Sequence, residues 1–372
     1  MDLNLRINKI WQNSFQSDKL IPSFQKWCEN YLIFGVSEKI FISLTTESGG
    51  IGDAIAWLPA FRHLKKLNPT KKLILCTFSN HKEIFNFCKY IDAFIPTNYI
   101  GKIQELDGPV INGEHSLEQH YRKHVVISNV KHLCSIKEIC ADIPLEYELD
   151  VLQEDLIPIS NIQKQIKKLA GNKKIIAIAP AFTMYSRIWQ SSCWEQLVKY
   201  LHQDNSFIVS FGIKEDLHIP NVDFDARGSY PVRYIPHLLD IFDSIFVIHS
   251  GMLHIAGINQ NIKIVLISSG QWLPEIEMPF RYGKLGYNIK VIRHNCPIQK
   301  QCFENHITEK SINKQQSDFI TSWQRETKKP FPESETQYLK KYICWNYCDK
   351  EKDKFECSKS ITPEQVFERY KN

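Results

Sequence analysis

The sequence predicts an α/β protein with two Rossmann-like domains that face a cleft, and three observations lead to this prediction. The chain has 372 residues, which is more than one ordinary hydrophobic core accommodates. Short apolar segments rich in β-branched residues alternate with segments whose apolar residues recur at helical spacing, a pattern typical of parallel sheets with crossover helices. The alternation weakens between residues 98 and 150 and then starts again. We therefore expect an N-terminal domain over residues 1–155 and a C-terminal domain over residues 156–372.

The first half opens with a strand and a helix. Lys39–Leu44 is short, apolar and β-branched, which predicts a buried strand. From Ala54 to Leu67 the apolar residues recur every three or four positions, which predicts a helix. The other predicted elements of this half are strands at Lys72–Thr77, Ala93–Ile95 and His124–Ile127 and helices at His81–Tyr90 and Val130–Cys140.

The second half shows the same alternation. Asn161–Ala170 has helical spacing, with Ser160 as N-cap and Gly171 as C-cap, and Leu152–Ile159 would join the two halves. The other predicted elements of this half are strands at Lys174–Ala179, Phe207–Phe211, Ser244–Ile248 and Lys263–Ser268, helices at Ser192–His202, Tyr234–Phe242 and Met252–Asn259, and a final helix that opens at Thr362-Pro363-Glu364.

Three glycines and a carboxylate lie in the turn after the first strand, Glu47-Ser48-Gly49-Gly50-Ile51-Gly52-Asp53. In open α/β sheets, ligands bind at the carboxyl ends of the strands, where this turn lies. Its spacing fits neither a dinucleotide fingerprint nor a P-loop. Because a carboxylate repels a phosphate bound against it, Asp53 suits the role of a base or of a group that binds hydroxyls. A tight turn in which Asp53 only caps the helix is the alternative interpretation.

Loops of the second half carry further candidates. The strands there end in Pro180-Ala181-Phe182-Thr183, in Phe211-Gly212 and in His249-Ser250-Gly251, and parallel strands would bring these loops to one edge of the sheet. Arg187 follows the first loop, and its cationic fork suits phosphate oxygens, although an ordinary surface arginine is equally compatible with the sequence. His249 and His254 lie on either side of the last turn, where two histidines favour a functional role.

The composition is that of a soluble globular protein, with 43% hydrophobic and 23% charged residues. No apolar run reaches the roughly 18 residues of a membrane span, and the polar segment Met1–Asn30 lacks the apolar region of a signal peptide. We therefore expect a cytoplasmic protein. The formal net charge of +5 is mild, and no zinc-finger or RNP-like pattern is present, so no nucleic-acid partner is expected.

Basic residues cluster at Arg62-His63-Leu64-Lys65-Lys66 and at His120-Tyr121-Arg122-Lys123-His124. Most such clusters are solvated faces of helices, whereas a minority contact an anionic surface or substrate. Both interpretations stay open at the level of the sequence.

Five of the 11 cysteines lie in the C-terminal part of the chain, and these are Cys296, Cys302, Cys344, Cys348 and Cys357. Structural disulfides are not expected in a cytosolic protein. A zinc or iron site formed by these thiolates is one interpretation, but no strict C-x-x-C pair supports it. Cysteines that bind no metal are the other interpretation.

Taken together, the motifs resemble those of glycosyltransferase family 9, which contains the ADP-heptose:lipopolysaccharide heptosyltransferases. The resemblance extends from about Phe41 to Phe367, with the motifs in the family's order. The segments that carry it are Gly50-Ile51-Gly52-Asp53, Leu58–Lys65, Pro180-Ala181-Phe182-Thr183, Arg187-Ile188-Trp189, Cys193–Leu197, His249–Ala256 and a tail from Cys357 to Val366.

This resemblance implies the GT-B architecture and an inverting transfer of heptose or a related sugar from a nucleotide-diphosphate donor, with ADP-heptose favoured. The implied acceptor is a lipopolysaccharide core or another glycan, with peripheral contact at the cytoplasmic face of the inner membrane, and no cofactor is required for catalysis. Asp53 would be the general base that deprotonates the acceptor hydroxyl. Glu215 or Asp216 would bind ribose hydroxyls. The residues implied in binding substrate or donor are Gly50, Gly52, Thr183, Arg187, Gly212, Glu215, His249, Ser250, Gly251 and His254.

Three features depart from the family's pattern. His249 occupies the position of an aspartate that contacts the transferred sugar, and an imidazole cannot take over the role of a carboxylate there. Arg187 replaces a lysine, which keeps the charge but alters the geometry. The polar stretch Asn305–Glu335 looks like an insertion.

Three alternatives therefore stay open. The acceptor could be a protein, as for relatives that glycosylate autotransporter proteins, some of which carry a cysteine-bound iron. The chain could be a catalytically degenerate GT-B protein that binds a nucleotide sugar without turnover, an alternative that His249 favours. It could also be a structural module that depends on a cysteine-bound metal.

Overall fold

The computed structural model describes residues 39–44, 50–77, 81–85, 88–96, 110–112, 125–135, 139, 142–180, 188–268, 278–293 and 360–372. Among these, the residues up to Leu152 form one compact unit, called unit 1, and those from Gln153 onward form a second, called unit 2. Within the described ranges, no helix has both the length and the hydropathy needed to cross a membrane.

Unit 1 is built on a four-stranded parallel sheet with strand order β3-β2-β1-β4. Its central strands are continuous apolar runs, as expected for strands covered on both faces. Its elements are β1 (Lys39–Ser43), α1 (Ile51–Ile55), α2 (Leu58–Leu67), β2 (Lys72–Thr77), α3 (Lys82–Phe85), β3 (Ala93–Pro96), β4 (Val110–Asn112) and α4 (Val125–Leu133).

Unit 2 contains a six-stranded parallel sheet with strand order β12-β9-β8-β5-β6-β7, which is the Rossmann order 3-2-1-4-5-6 read from the opposite edge. A small antiparallel hairpin, β10–β11, accompanies it. The strands are β5 (Lys174–Ala179), β6 (Ser206–Ser210), β7 (Phe224–Asp225), β8 (Ser244–Ile248), β9 (Lys263–Ser268), β10 (Phe280–Arg281), β11 (Lys284–Leu285) and β12 (Ile289–Arg293). The helices are α5 (Gln153–Ala170), α6 (Ser191–Gln203), α7 (Ile235–Leu238), α8 (Gly251–Ile258) and α9 (Pro363–Lys371), with 3₁₀ turns at Val232–Tyr234 and Leu239–Ile241.

The terminal helix α9 is joined to the core of unit 2 at both ends. At its start, Thr362 is the N-cap, as the Thr-Pro-Glu sequence predicts, and it forms a capping box with Gln365. The preceding carbonyl group, of Ile361, accepts a hydrogen bond of 2.8 Å from the indole of the fully buried Trp189. At its end, the ammonium group of Lys263 donates to the carbonyl oxygen of Tyr370 at 2.6 Å, which satisfies one of the last helical acceptors.

Three predictions for these elements are wrong. The β-branched run predicted as a strand at His124–Ile127 belongs to helix α4, because Val126, Val130 and Leu133 lie on one face and are buried together. All of the predicted connection Leu152–Ile159 except Leu152 instead forms the first two turns of α5. The helix of α4 also ends at Leu133, well before the predicted Cys140.

The early start of α5 has a physical cause in Asp155. Its buried carboxylate accepts hydrogen bonds from Nε of Arg233 at 2.9 Å and from the hydroxyl of Tyr234 at 2.8 Å. The hydrogen bond from Arg233 is the largest cause that lowers the pKa of Asp155. These bonds fix the first turn of α5 against the 3₁₀ turn that precedes α7.

Replacing Asp155 by alanine should lower the free energy of unfolding by about 1–3 kcal/mol, because Arg233 and Tyr234 lose their shared acceptor. Urea denaturation followed by circular dichroism measures this change. The matched control is Glu154→Ala in the same turn, whose side chain is exposed and whose loss should stay below about 0.5 kcal/mol. Equal losses in the two variants would contradict the role given to Asp155.

Candidate functional site

The sheet of unit 1 reverses its winding at β1. From β1 the chain builds β2 and β3 on one side, and β4 then pairs with the other side of β1. Ligands of open α/β sheets bind outside the carboxyl ends of the strands at such a reversal. Because β1 ends at Ser43 and α1 begins at Ile51, Asp53 lies at this position.

Asp53 belongs to the first turn of α1, for which Gly50 is the N-cap. The carbonyl oxygen of Gly50 accepts a hydrogen bond from the backbone N–H of Ala54 at 3.2 Å. Residues 54–64 are all buried, whereas Asp53 keeps a partly exposed position. The turn thus holds a carboxylate at the edge of an otherwise buried segment, next to a helix N-terminus that favours negative charge.

Helix α4 supports the helices that carry Asp53. Between α1 and α2 the backbone stays helical through Ala56 and Trp57, both of which are buried. The fully buried Asn129 of α4 donates from Nδ2 to the carbonyl oxygen of Ala56 at 3.0 Å. This bond satisfies a main-chain acceptor at the break between two helices and thereby fixes the path of α1.

The supporting role of Asn129 was not predicted from the sequence. The one available signal is the pair Ser128-Asn129 inside a β-branched run, since two adjacent polar residues fit a buried strand poorly. The pair fits one side of a helix that packs against another helix.

The cluster Arg62–Lys66 is largely neutralised inside unit 1. Arg62 pairs with Glu148 at 2.6 Å, and Lys65 pairs with Asp92 at 2.7 Å. Burial alone would raise the pKa of Glu148, but hydrogen bonds from Lys89 and Tyr90 and the charge of Arg62 outweigh it and lower that pKa. These pairs support the structural interpretation of the cluster. The second basic cluster, His120-Tyr121-Arg122-Lys123-His124, lies outside the described residues.

His63 lies in the middle of this cluster and is fully buried. Its Nδ1 lies 2.8 Å from the carbonyl oxygen of Pro59. Burial is the main cause that lowers the pKa of His63 below its usual value of 6.5, and the positive charges of Arg62 and Lys66 act in the same direction. The neutral form is therefore favoured in the folded protein.

The sheet of unit 2 reverses its winding between β5 and β8. The carboxyl end of β8 leads directly into His249, Ser250 and helix α8. Strands β8, β5 and β6 are neighbours, so the three predicted loops begin at one edge of the sheet, as the sequence indicates.

The turn before α8 presents a helix N-terminus at this edge. Ser250 is the N-cap, and its hydroxyl oxygen accepts a hydrogen bond from the backbone N–H of Met252 at 3.3 Å. Gly251 adds no side chain in front of the helix. A capped helix N-terminus of this kind provides N–H donors and a positive dipole end that suit an anion.

His249 and His254 are both buried at this turn. Their rings meet edge to face, with centroids 6.5 Å apart and an interplanar angle of 79°. The two histidines on either side of this turn are therefore in contact, and their role in donor binding stays a prediction.

The loop after β6 is held by a carboxylate. Gly212 has φ of +150°, and a Cβ there would lie 2.4 Å from Oδ2 of Asp216. The same oxygen accepts a hydrogen bond from the backbone N–H of Ile213 at 2.8 Å. Asp216 thus shapes the loop from within, whereas Glu215 is exposed. Of the two acidic residues predicted to bind ribose, Glu215 is the better placed to reach a ligand.

Several predicted residues lie outside the described part of the chain. These are Thr183, Arg187, Cys296, Cys302, Cys344, Cys348 and Cys357. No group of three or more His, Cys, Asp or Glu side chains suited to a metal occurs among the residues that the structure describes. The cysteine-bound metal stays a prediction.

With this geometry described, the chain can be compared with known proteins. It shares its fold with the glycosyl transferase family 9 protein from Veillonella parvula, with 13% identity, coverage of 91% of this chain and 97% of that chain, and a TM-score of 0.60. It is similarly related to the E. coli ADP-heptose lps heptosyltransferase II, with 12% identity, coverage of 89% and 98%, and a TM-score of 0.57. A third structure is the iron-containing dodecameric glycosyltransferase TibC from enterotoxigenic E. coli, with 16% identity, coverage of 89% and 75%, and a TM-score of 0.55.

The sequence itself matches no protein-family model and no curated protein. At the identities given above, the structural likeness is a likeness of fold. It confirms the predicted α/β class with Rossmann-like units of the GT-B type.

Acid should destabilise the protein through His63. Because its folded-state pKa lies below the unfolded value, the unfolded state binds more protons between the two values, and the free energy of unfolding falls as the pH drops below about 6.5. Replacing His63 by glutamine should reduce the loss of stability between about pH 7.5 and about pH 5.5, measured by urea denaturation at both values. A variant that keeps the full wild-type loss would contradict this assignment.

Proposed function

We propose that the chain is an inverting glycosyltransferase of the family 9 type. It transfers heptose or a related sugar from a nucleotide-diphosphate donor, with ADP-heptose favoured, to a lipopolysaccharide core or another glycan. In this proposal Asp53 is the general base, and the turn His249-Ser250-Gly251 belongs to the donor site. The reaction takes place in the cytoplasm, at the face of the inner membrane where such acceptors are assembled.

One observation carries the proposal. In each unit, the residues predicted to perform chemistry lie where a Rossmann-like sheet reverses its winding, Asp53 in unit 1 and the turn before α8 in unit 2. A fold alone does not select an activity, because one fold serves many functions. Two observations together support this activity. Each of the two motifs lies at the winding reversal of its own sheet, and the fold is shared with a family 9 glycosyl transferase over 91% of this chain.

The proposed reaction is a direct displacement at the anomeric carbon of the donor sugar. The Asp53 carboxylate accepts the proton of the acceptor hydroxyl while the oxygen of that hydroxyl forms the new bond to the anomeric carbon. The bond from the carbon to the diphosphate oxygen breaks on the opposite face, which inverts the configuration. The diphosphate leaves with the electron pair, and its growing negative charge is stabilised by N–H donors at the start of α8 and by Arg187 and Thr183.

His249 favours a second candidate, a protein that binds a nucleotide sugar without turnover. A buried imidazole at this position cannot accept hydrogen bonds from two sugar hydroxyls as a carboxylate can. Wild-type protein that binds ADP but releases no nucleotide with any glycan or protein acceptor would favour this candidate. Release with a protein acceptor alone would favour the protein glycosyltransferase instead.

Replacing Asp53 by asparagine removes the base but keeps the size of the side chain. We expect ADP release from ADP-heptose and core oligosaccharide to fall by at least roughly 10²-fold, with ADP affinity changed by no more than about twofold. The matched control is Asp142→Asn, an exposed carboxylate of the same unit, which should keep wild-type turnover. Wild-type turnover in Asp53→Asn would refute the general-base role.

Replacing Glu215 by glutamine should weaken ADP binding roughly tenfold, because an amide oxygen is a poorer acceptor for ribose hydroxyls than a carboxylate. Isothermal titration calorimetry measures the dissociation constant, with GDP and UDP as competing candidates for the donor base. Glu368→Gln on the exposed side of α9 is the control and should bind ADP like wild type. An unchanged dissociation constant in Glu215→Gln would exclude a ribose contact.

A further inference from the structure

We propose that unit 2 carries a second, non-catalytic saccharide-binding site, which we call the tyrosine patch. The patch surrounds a surface pocket of about 340 Å³ lined by Gln260, Asn261, Tyr282, Lys284, Tyr287 and Asn288. The proposed transfer reaction uses none of these residues. The inference therefore goes beyond the proposed function.

The tyrosine patch lies at the amino-terminal edge of the sheet of unit 2. Gln260 and Asn261 immediately precede β9, and Asn288 immediately precedes β12. The turn before α8 follows β8, which runs parallel to β9, and therefore lies at the opposite edge. Within unit 2 the two sites are separated by the length of the strands.

Tyr282 adopts a backbone conformation that tyrosine rarely takes. Its φ of +49° lies in the left-handed region, which is unfavourable for residues with a Cβ. Two contacts hold it there, one from its backbone N–H to Oε1 of Gln260 at 3.3 Å and one from its hydroxyl to Oδ1 of Asn261 at 2.5 Å. Tyr282 and Gly283, whose φ is +70°, form the two-residue turn of the β10–β11 hairpin, a connection that favours positive φ at both positions. The turn places the Tyr282 side chain, which is 57% exposed, at the tip of the hairpin.

The residue before Tyr282 joins the hairpin to the rest of unit 2. Arg281 is fully buried and donates hydrogen bonds to the carbonyl oxygens of Asn259 at 2.8 Å and Tyr287 at 3.1 Å. These bonds join the hairpin β10–β11 to the end of α8 and to the segment before β12. The ring of Tyr282 is thus presented from a rigid support.

Tyr287 completes an aromatic surface. It is 45% exposed, and its ring meets that of Tyr282 edge to face with centroids 5.6 Å apart. The ammonium group of Lys284 lies 5.8 Å from the centre of the Tyr287 ring. Two perpendicular rings and one cation therefore border the same pocket.

Amide side chains supply the polar part of the pocket. Nδ2 of Asn288 donates to the carbonyl oxygen of Asn261 at 2.9 Å, which orients Asn288. Within the described part of the chain, Nδ2 of Asn261 and Oδ1 of Asn288 form no hydrogen bond, so one donor and one acceptor remain for a ligand.

This combination fits a saccharide. A sugar ring has an apolar face of C–H groups that lies on an aromatic ring, and hydroxyls at its edge that bond to amide donors and acceptors. Lys284 would contact an acidic or phosphorylated sugar of the same chain. A purely apolar partner would leave the amides of Asn261 and Asn288 unsatisfied.

Saturation-transfer-difference NMR on the full-length protein, with core oligosaccharide released from lipopolysaccharide as the probe, tests the tyrosine patch. We expect signals on sugar ring protons and a dissociation constant that rises roughly tenfold in Tyr287→Ala. Tyr282→Gly should weaken binding similarly. Its Tm should stay within about 2 °C of wild type, because glycine adopts the left-handed backbone without strain and this gain offsets the lost hydroxyl contact. The matched control is Leu169→Ala, another exposed apolar residue of unit 2, which should bind like wild type.

The outcomes separate this inference from the proposed function. Because core oligosaccharide is also the proposed acceptor, the tyrosine patch is judged by the change between wild type and the tyrosine variants. A dissociation constant and sugar signals that are unchanged in both Tyr282→Gly and Tyr287→Ala overturn the tyrosine patch, whatever the transfer activity. The saccharide proposal is also overturned if wild type shows no sugar signal but self-associates, and this self-association is lost in Tyr287→Ala. That result would indicate a contact between copies of this chain. The loss of sugar signal caused by Tyr287→Ala should be the same in the Asp53→Asn background, so failure of the catalytic proposal and failure of the tyrosine patch are distinguishable.

Discussion

The pairing of β5 with β6 on one side and β8 on the other is the interaction on which unit 2 depends. Residues Ile176–Ile178 of β5 bond to both neighbours at once and are fully inaccessible to solvent. Every strand added outward on either side begins from this centre. Because crossovers in parallel sheets are right-handed, adding strands on both sides of one strand puts helices on both faces and opens a crevice at its carboxyl end. The turn before α8 occupies this crevice because of that constraint, and Asp53 occupies the corresponding place beside β1.

The central strands of both units and the edge strand β3 could be predicted from the sequence, and the other edge strands could not. A strand covered on both faces is a continuous apolar run, which the β5, β8 and β9 segments show plainly. Edge strands such as β4 and β7 have three and two residues, too few for a periodic pattern. The first residues of helix α4 were predicted as a strand from their local β propensity, and this was wrong because burial against another helix outweighs that propensity. The capped ends at Gly171 and Thr362 were predicted correctly. The N-cap predicted at Ser160 was wrong, because α5 begins at Gln153 and Ser160 lies inside the helix.

The candidate site shows the same division between position and detail. Sequence indicates which acidic residue follows a glycine turn, but not which acidic residues are already engaged within their own unit. Asp155 holds a helix start, Asp216 shapes the loop at Gly212, and Glu148 receives bonds from three side chains. The contacts of Asp155 and Glu148 join residues far apart along the chain and leave no local signal, whereas Asp216 bonds to Ile213 only three residues before it. Position at a winding reversal, rather than residue type, therefore singles out Asp53.

Helix α8 relates the two edges of unit 2. Its start carries Ser250 and Gly251, and its end is followed at once by Gln260 and Asn261 of the tyrosine patch. Eight helical residues extend for roughly 12 Å, which exceeds the length of one sugar ring. A single sugar consequently cannot contact both ends of the helix, and the sugar bound at the tyrosine patch is distinct from the sugar that the proposed reaction transfers. Because Arg281 fixes the end of the same helix, the support of the tyrosine patch and the position of the proposed donor site depend on one buried element.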